Sequence, residues 1–256
     1  MALPFVLSIP HCANRVPEEI KSCMALGEEE VLESVDFGTR EIFGRIPAQE
    51  TLMAQYSRLV ADLNRPPDQL DAKGVAALTD YHGRTVFRPG QEPDRRTVEE
   101  RIKQYHHPYH AALEKALGNP KAVALIDGHS LNGTGPADAP DPGQKRKDII
   151  LSNNGNPDGT PRPSKGPLSC SPEVIRVFRS AFENQGLSVS LNFPYQGGYI
   201  VRHYGALLRS SNRFAIQIEM NQDLYMAPGS LLPAQRRIEQ VYRQILHALE
   251  EVAANL

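Results

Sequence analysis

The chain has 256 residues, 40% hydrophobic and 23% charged, a balance that places it with ordinary globular proteins and excludes disordered and fibrous classes. Its length is near the upper end of what one hydrophobic core supports, and residues 1–256 read as a single α/β domain in preference to two small ones. The formal net charge of -2 excludes the cationic footprint a nucleic-acid binder needs, and the lack of any long apolar run excludes a helical membrane span.

Phe5 to Ile9 is a short apolar run stopped by Pro10, which predicts a buried first strand delivering His11 into a loop. The segment from Met1 to His11 has neither a basic n-region nor a small-residue cleavage site, so a cytoplasmic protein is expected. Pro17-Glu18-Glu19-Ile20 reads as a helix start. Glu28 to Phe43 carries apolar residues at helical intervals, with a break at Gly38.

Strands are predicted at Thr51 to Ala54 and Leu59 to Leu63, after which Asn64-Arg65-Pro66-Pro67 must leave the sheet because proline donates nothing to the ladder. The polar, glycine- and proline-rich stretch from Asp68 to Pro93 is longer than a plain connection and is expected to form part of a pocket. Asp94 to Leu117 predicts one helix ended by Gly118-Asn119-Pro120. Its cluster of His106, His107 and His110 reads as a partly exposed face and lacks the spacing of a helix-borne zinc motif.

Val123 to Asp127 predicts a buried strand that turns out at Gly128-His129-Ser130. Leu131 to Gln144 is irregular, Asp148 to Ser152 a strand, and the stretch to Ser169 irregular again. A helix at Pro172 to Asn184, strands at Leu187 to Leu191 and Arg213 to Glu219, and a helix from Leu231 to Ala254 complete the chain. Alternating strands and helices predict a largely parallel sheet covered on both faces, with ligands at the carboxyl ends of the strands. His11, Asn64, His129 and Glu219 all fall at such ends.

Two histidines after separate strands are the residue type that zinc prefers, and catalytic zinc takes three protein ligands and leaves a fourth position for water. His11 and His129 therefore become metal-ligand candidates. Asp36, a carboxylate in an apolar stretch that must be paired if buried, is the favoured third ligand, with Glu18 or Glu19 as alternatives. Glu219, on an alternating strand that can aim it into the pocket, is the candidate general base. Arg65, Arg88 and Arg202, with Asn64 and His203 beside them, are candidates for holding a carboxylate-bearing ligand, since guanidinium matches carboxylate geometry. Gly197-Gly198-Tyr199 reads as a helix opening.

Cys12, Cys23 and Cys170 show no CxxC spacing, which argues against a disulfide framework and a structural zinc knuckle. Only Cys12 stands beside this chemistry, and a cysteine-nucleophile amidase with His11 or His129 as base is the alternative enzyme reading. A non-catalytic protein that binds an acidic ligand in the same pocket is the alternative outside catalysis.

In chain order, Ser8-Ile9-Pro10-His11, Val35-Asp36-Phe37, Ala61-Asp62-Leu63-Asn64-Arg65-Pro66-Pro67, Phe87-Arg88-Pro89-Gly90-Gln91, Tyr105-His106-His107-Pro108-Tyr109-His110, Asp127-Gly128-His129-Ser130, Gly197 to Gly205 and Gln217-Ile218-Glu219 form a set that resembles the N-formylglutamate amidohydrolase family. The resemblance spans nearly the whole chain. It departs from the family at Cys12-Ala13, where a small residue and glycine are usual, and at Phe37, where tryptophan is usual.

The resemblance implies a three-layer α/β sandwich with a mostly parallel or mixed sheet, similar to zinc-dependent exopeptidases and amidases of the phosphorylase/hydrolase-like kind. It implies metal-dependent hydrolysis of N-formyl-L-glutamate, or a related N-acyl acidic amino acid, to formate and glutamate, late in histidine degradation. The implied partner is this small molecule and the implied cofactor a divalent metal, zinc foremost, at His11, Asp36 and His129, with Glu219 as catalytic carboxylate. The oligomeric state is left open.

Overall fold

The computed structural model of the protein describes residues 2–137, 139–227 and 230–256. Met1 and Asp138, the latter within the irregular stretch Leu131 to Gln144, lie outside the described residues. Six strands form one sheet: β1 (Leu3–Ile9), β2 (Ala48–Met53), β3 (Ala124–Leu131), β4 (Ile149–Ser152), β5 (Val189–Leu191) and β6 (Phe214–Asn221). Their order is β2-β1-β3-β6-β4-β5. The first four in that order are parallel, β4 runs antiparallel to β6, and β5 is parallel to β4.

The helices are α1 (Glu18–Lys21), α2 (Glu28–Glu33), α3 (Thr39–Ile42), α4 (Arg95–Arg101), α5 (His107–Leu117), α6 (Pro172–Asn184), α7 (Tyr199–Leu208) and α8 (Gln235–Ala254). Strand alternation sorts the core into two layers. Phe5, Leu7, Ile126, Ile216 and Ile218 pack on α6 and α8, while Val6, Leu125 and Ala215 pack on α5 and α7. The result is the expected three-layer α/β arrangement.

Local chemistry sets the helix ends. The Asp94 side chain accepts from Thr97 N–H to open α4, and Ser171 caps α6 through Val174 N–H. The single helix predicted from Asp94 to Leu117 is instead two, joined by a π-turn over Ile102–His106. Pro108 has no N–H to give to the carbonyl one turn back, and the wider turn absorbs that missing bond.

Other expectations are also corrected. The strand predicted at Leu59 to Leu63 is a buried loop: Leu59 and Val60 pack against Phe87 and Met24, and Ala61 against Val75, with no sheet partner among the described residues. Helix Glu28 to Phe43 stops at Glu33 and resumes only at Thr39. The third strand does not turn out at Gly128 but runs on, in register with β6, to Leu131↔Asn221.

Candidate active site

The chain leaves β1 for β2 on one side of the sheet, and later enters β3 on the other side of β1. This reversal opens a crevice where loops after neighbouring strands diverge. The face of the sheet under α5 and α7 changes character there. Val6, Leu125 and Ala215 give way, two residues on, to Ser8, Asp127 and Gln217, and then to His129 and Glu219. The register sets Asp127 opposite Gln217 and His129 opposite Glu219.

A cavity of about 370 Å³ lies over these strand ends, a size suited to a small metabolite. Its lining includes His11, Asp36, Asn64, Arg65, His129 and Glu219, together with Arg58, Asp62, Lys73, Tyr81, Tyr195 and Gln217. The long connection between β2 and α4 supplies lining residues from Arg58 to Tyr81; those from Lys73 to Tyr81 fall in the stretch Asp68 to Pro93 expected to form part of a pocket, whereas Arg58 to Arg65 come from the segment before it.

Asp36 is brought to His11 by the backbone, because Asp36 N–H donates to His11 C=O at 3.0 Å. Gly38, at φ 77°, turns the chain immediately afterwards. A Cβ there would stand 2.5 Å from the Tyr225 ring, whose hydroxyl donates to Phe37 C=O. The break between α2 and α3 is thus what presents Asp36.

The two imidazoles are held alike. His11 Nε2 donates to Asp62 Oδ1 at 2.8 Å and His129 Nε2 to Asp127 Oδ2 at 2.9 Å. Their other nitrogens face Asp36 Oδ2, His129 Nδ1 at 2.9 Å and His11 Nδ1 at 3.5 Å. Asp62 is steadied by Arg58 Nη2 at 2.8 Å and Asn64 N–H at 2.9 Å, and Asp127 by Ser8 Oγ at 2.9 Å.

Electrostatics follow from this packing. Burial opposes charge on His129, yet Asp127 and Asp36 outweigh it and raise its pKa well above the ordinary value. Burial likewise opposes charge on Asp36 and Asp62. The imidazoles beside Asp36, and Arg58 with His11 beside Asp62, nevertheless hold both carboxyls below the usual carboxylate range. Among the described residues Glu219 has only the Gln217 amide for a hydrogen-bond partner, and burial, reinforced by Asp36 and Asp127 against the pull of His129, pushes it up to about 7.

One ligand atom from each of His11, Asp36 and His129 lies within 4.8 Å of the others, a grouping able to hold a metal ion. His11 Nδ1 is buried without a hydrogen-bond partner among the described residues, an orphan that a cation would satisfy. A carboxylate backing each imidazole from behind is the support usual for metal-binding histidines. The residues present fit a divalent cation.

The alternative ligands Glu18 and Glu19 are exposed on α1 and are not among the cavity residues. Arg88 and Arg202 are exposed and bond Ser22 C=O and Gly198 C=O, while His203 stacks on Tyr199; none of the three lines the cavity. Asn64 lines it, but its amide is engaged by Ile200 N–H and Asp127. Cys12 Sγ points at Ile9 C=O and Ala54 C=O outside the cavity, and burial pushes its thiol up, which disfavours the thiolate a nucleophile needs.

Of the cluster read as a partly exposed face, His107 is exposed, but His106 and His110 are buried. Their Nε2–H groups donate to Arg65 C=O and Leu63 C=O and so pin the loop that carries Asn64. Asp62, Asp127, Arg58 and Gln217 were given no role from sequence. The period-two spacing of Asp127 with His129 and of Gln217 with Glu219 is the signal that could have found two of them.

This fold and cavity define an α/β protein with a buried histidine–carboxylate centre at the ends of parallel strands. The sequence profile of N-formylglutamate amidohydrolase matches residues 3–226. The N-formylglutamate deformylase of Pseudomonas putida is 27% identical over 96% of this chain and 92% of its own length. That of Pseudomonas aeruginosa is 27% identical over 97% and 92%. The crystal structure of N-formylglutamate amidohydrolase from Ralstonia eutropha aligns over 100% of this chain and 96% of its own with a TM-score of 0.75 at 21% identity, a likeness of fold. A gene product of Agrobacterium tumefaciens aligns over 99% and 91% at TM-score 0.68 and 15% identity. The chain belongs to the N-formylglutamate amidohydrolase family.

Proposed function

We propose that the protein hydrolyses the formyl C–N bond of N-formyl-L-glutamate, or of a closely related N-acyl acidic amino acid, at this centre. The observation that carries the reading is the convergence of His11, Asp36 and His129 beside Glu219. A divalent cation, zinc foremost, held by His11, Asp36 and His129 would supply Lewis-acid polarisation of the carbonyl and lower the pKa of water.

Glu219, with a pKa of about 7, is poised both to take and to give a proton near neutral pH. It takes one from the water whose oxygen bonds to the formyl carbon. It returns that proton to nitrogen as the C–N bond breaks, and the formic acid released yields its own proton to the free amine. Arg58, oriented by Asp62, is the cation adjacent to Asp36, with Nη1 3.8 Å from that carboxylate. Arg65 and Lys73 line the cavity and form no ion pair with any described residue. They are assigned to the substrate's carboxylates.

The test is formate release from a panel of N-formyl and N-acyl amino acids, with metal content measured before and after chelation. Expected are release from N-formyl-L-glutamate, its loss on chelation and its return with Zn²⁺. Stoichiometric binding of N-formyl-L-glutamate with metal present and no formate released would overturn the catalytic reading.

A further inference from the structure

Gln217 precedes Glu219 by two residues on β6, shares its face, and is 3% exposed. Both ends of its amide are occupied: Gly198 N–H donates to its Oε1 at 2.7 Å, and its Nε2 donates to Glu219 Oε1 at 2.9 Å. A backbone N–H has no lone pair to offer, so the amide end facing Gly198 must be oxygen and the end facing Glu219 must be NH₂. The orientation is dictated by the backbone.

This has a consequence for the carboxyl group. Glu219 Oε1 meets a donor that cannot accept, so Oε1 stays the acceptor oxygen in both protonation states. A proton on Glu219 therefore sits on Oε2, which makes no hydrogen bond to any described residue, in a side chain that lines the cavity. We infer that Gln217 is a positioning residue that fixes Oε2 as the oxygen through which Glu219 exchanges protons, with its own orientation set by Gly198. The inference rests on the proposed role of Glu219 in moving protons.

Because a misplaced proton carrier harms the step more than binding, Gln217→Leu is expected to lower kcat by about 10- to 100-fold and shift KM by less than about threefold. Two substrates separate positioning from general damage: N-formyl-L-glutamate and the formate ester of 2-hydroxyglutarate. The amide nitrogen must be protonated to leave, whereas the ester oxygen departs without it. The loss should be several-fold larger on the amide, and Gln217→Leu combined with Glu219→Gln should lose no more than Glu219→Gln alone.

A loss larger on the ester than on the amide, a further loss when Gln217→Leu is added to Glu219→Gln, or parental kcat on the amide overturns the inference. If Gln217→Leu does not fold, Gln217→Met, unbranched and of similar length, carries the same comparison with the same outcomes. Parental activity in Glu219→Gln would instead overturn the role of Glu219 itself, and that failure is read independently from the single variant.

Discussion

At the scale of single residues, the site consists of carboxylates that hold imidazoles. Asp62 and Asp127 each take the Nε2–H of one histidine, and both are buried. Their effect on a cation would run through the rings, so removing their charge should weaken the metal without deleting a ligand. Asp127→Asn is expected to cost about 10- to 100-fold in metal affinity, measured by competition with a chromogenic chelator. His129→Ala should abolish both metal retention and formate release. Retention of stoichiometric metal by His129→Ala would remove the ring from the ligand set. His11, Asp36, His129 and Glu219 were legible because histidines and lone carboxylates beside apolar strands are conspicuous. Asp62 and Arg58 were not, because nothing local in Arg58 to Leu63 shows that a loop, and not a strand, carries Asp62 to His11 and sets Arg58 against Asp62.

At the scale of elements, the α7 N-terminus is fitted against the loop that carries Asn64. Ile200 N–H bonds Asn64 Oδ1, Asn64 Nδ2 bonds Asp127, and Gly198 lies so close that an added Cβ would fall 2.3 Å from the Asn64 amide. Both partners are locked, so the clash cannot be relieved by a free side chain. Gly198→Ala is expected to destabilise the fold by roughly 1–3 kcal/mol, read from the urea midpoint, and to lower formate release because Asn64 and Gln217 are both displaced. An unchanged midpoint would show that this packing yields easily. The helix opening at Gly198-Tyr199 was legible from the glycine pair, but its closeness to Asn64 is a tertiary fact. The π-turn at Ile102–His106 was equally hidden, since apolar spacing alone does not register the N–H missing at Pro108.

At the scale of the whole molecule, the parallel strands were legible from apolar runs and alternating helices, while the antiparallel insertion of β4 beside β6 was not, because strand direction depends on connections that the irregular stretches conceal. The same two-faced architecture buries His110 between α7 and the loop before Arg65. Its Nε2–H donates to Leu63 C=O, and its Nδ1 lies 3.0 Å from Tyr204 OH, a hydroxyl also 3.3 Å from His110 C=O. Burial, with His106 adding repulsion, lowers its pKa from 6.5 to about 3. Between those values the unfolded chain binds a proton that the folded chain refuses. The contribution of His110 is therefore fully present above about pH 6.5 and is lost as pH falls toward 3, at up to about 1.4 kcal/mol per pH unit. His110→Gln keeps a donor for Leu63 and a polar atom for Tyr204 but does not titrate. Its unfolding free energy, followed by urea between pH 4 and 6.5, should fall with a slope shallower by about one proton than the parent's. Equal slopes would mean that His110 charges within the fold and that the loop holding Asn64 gives way before the molecule does.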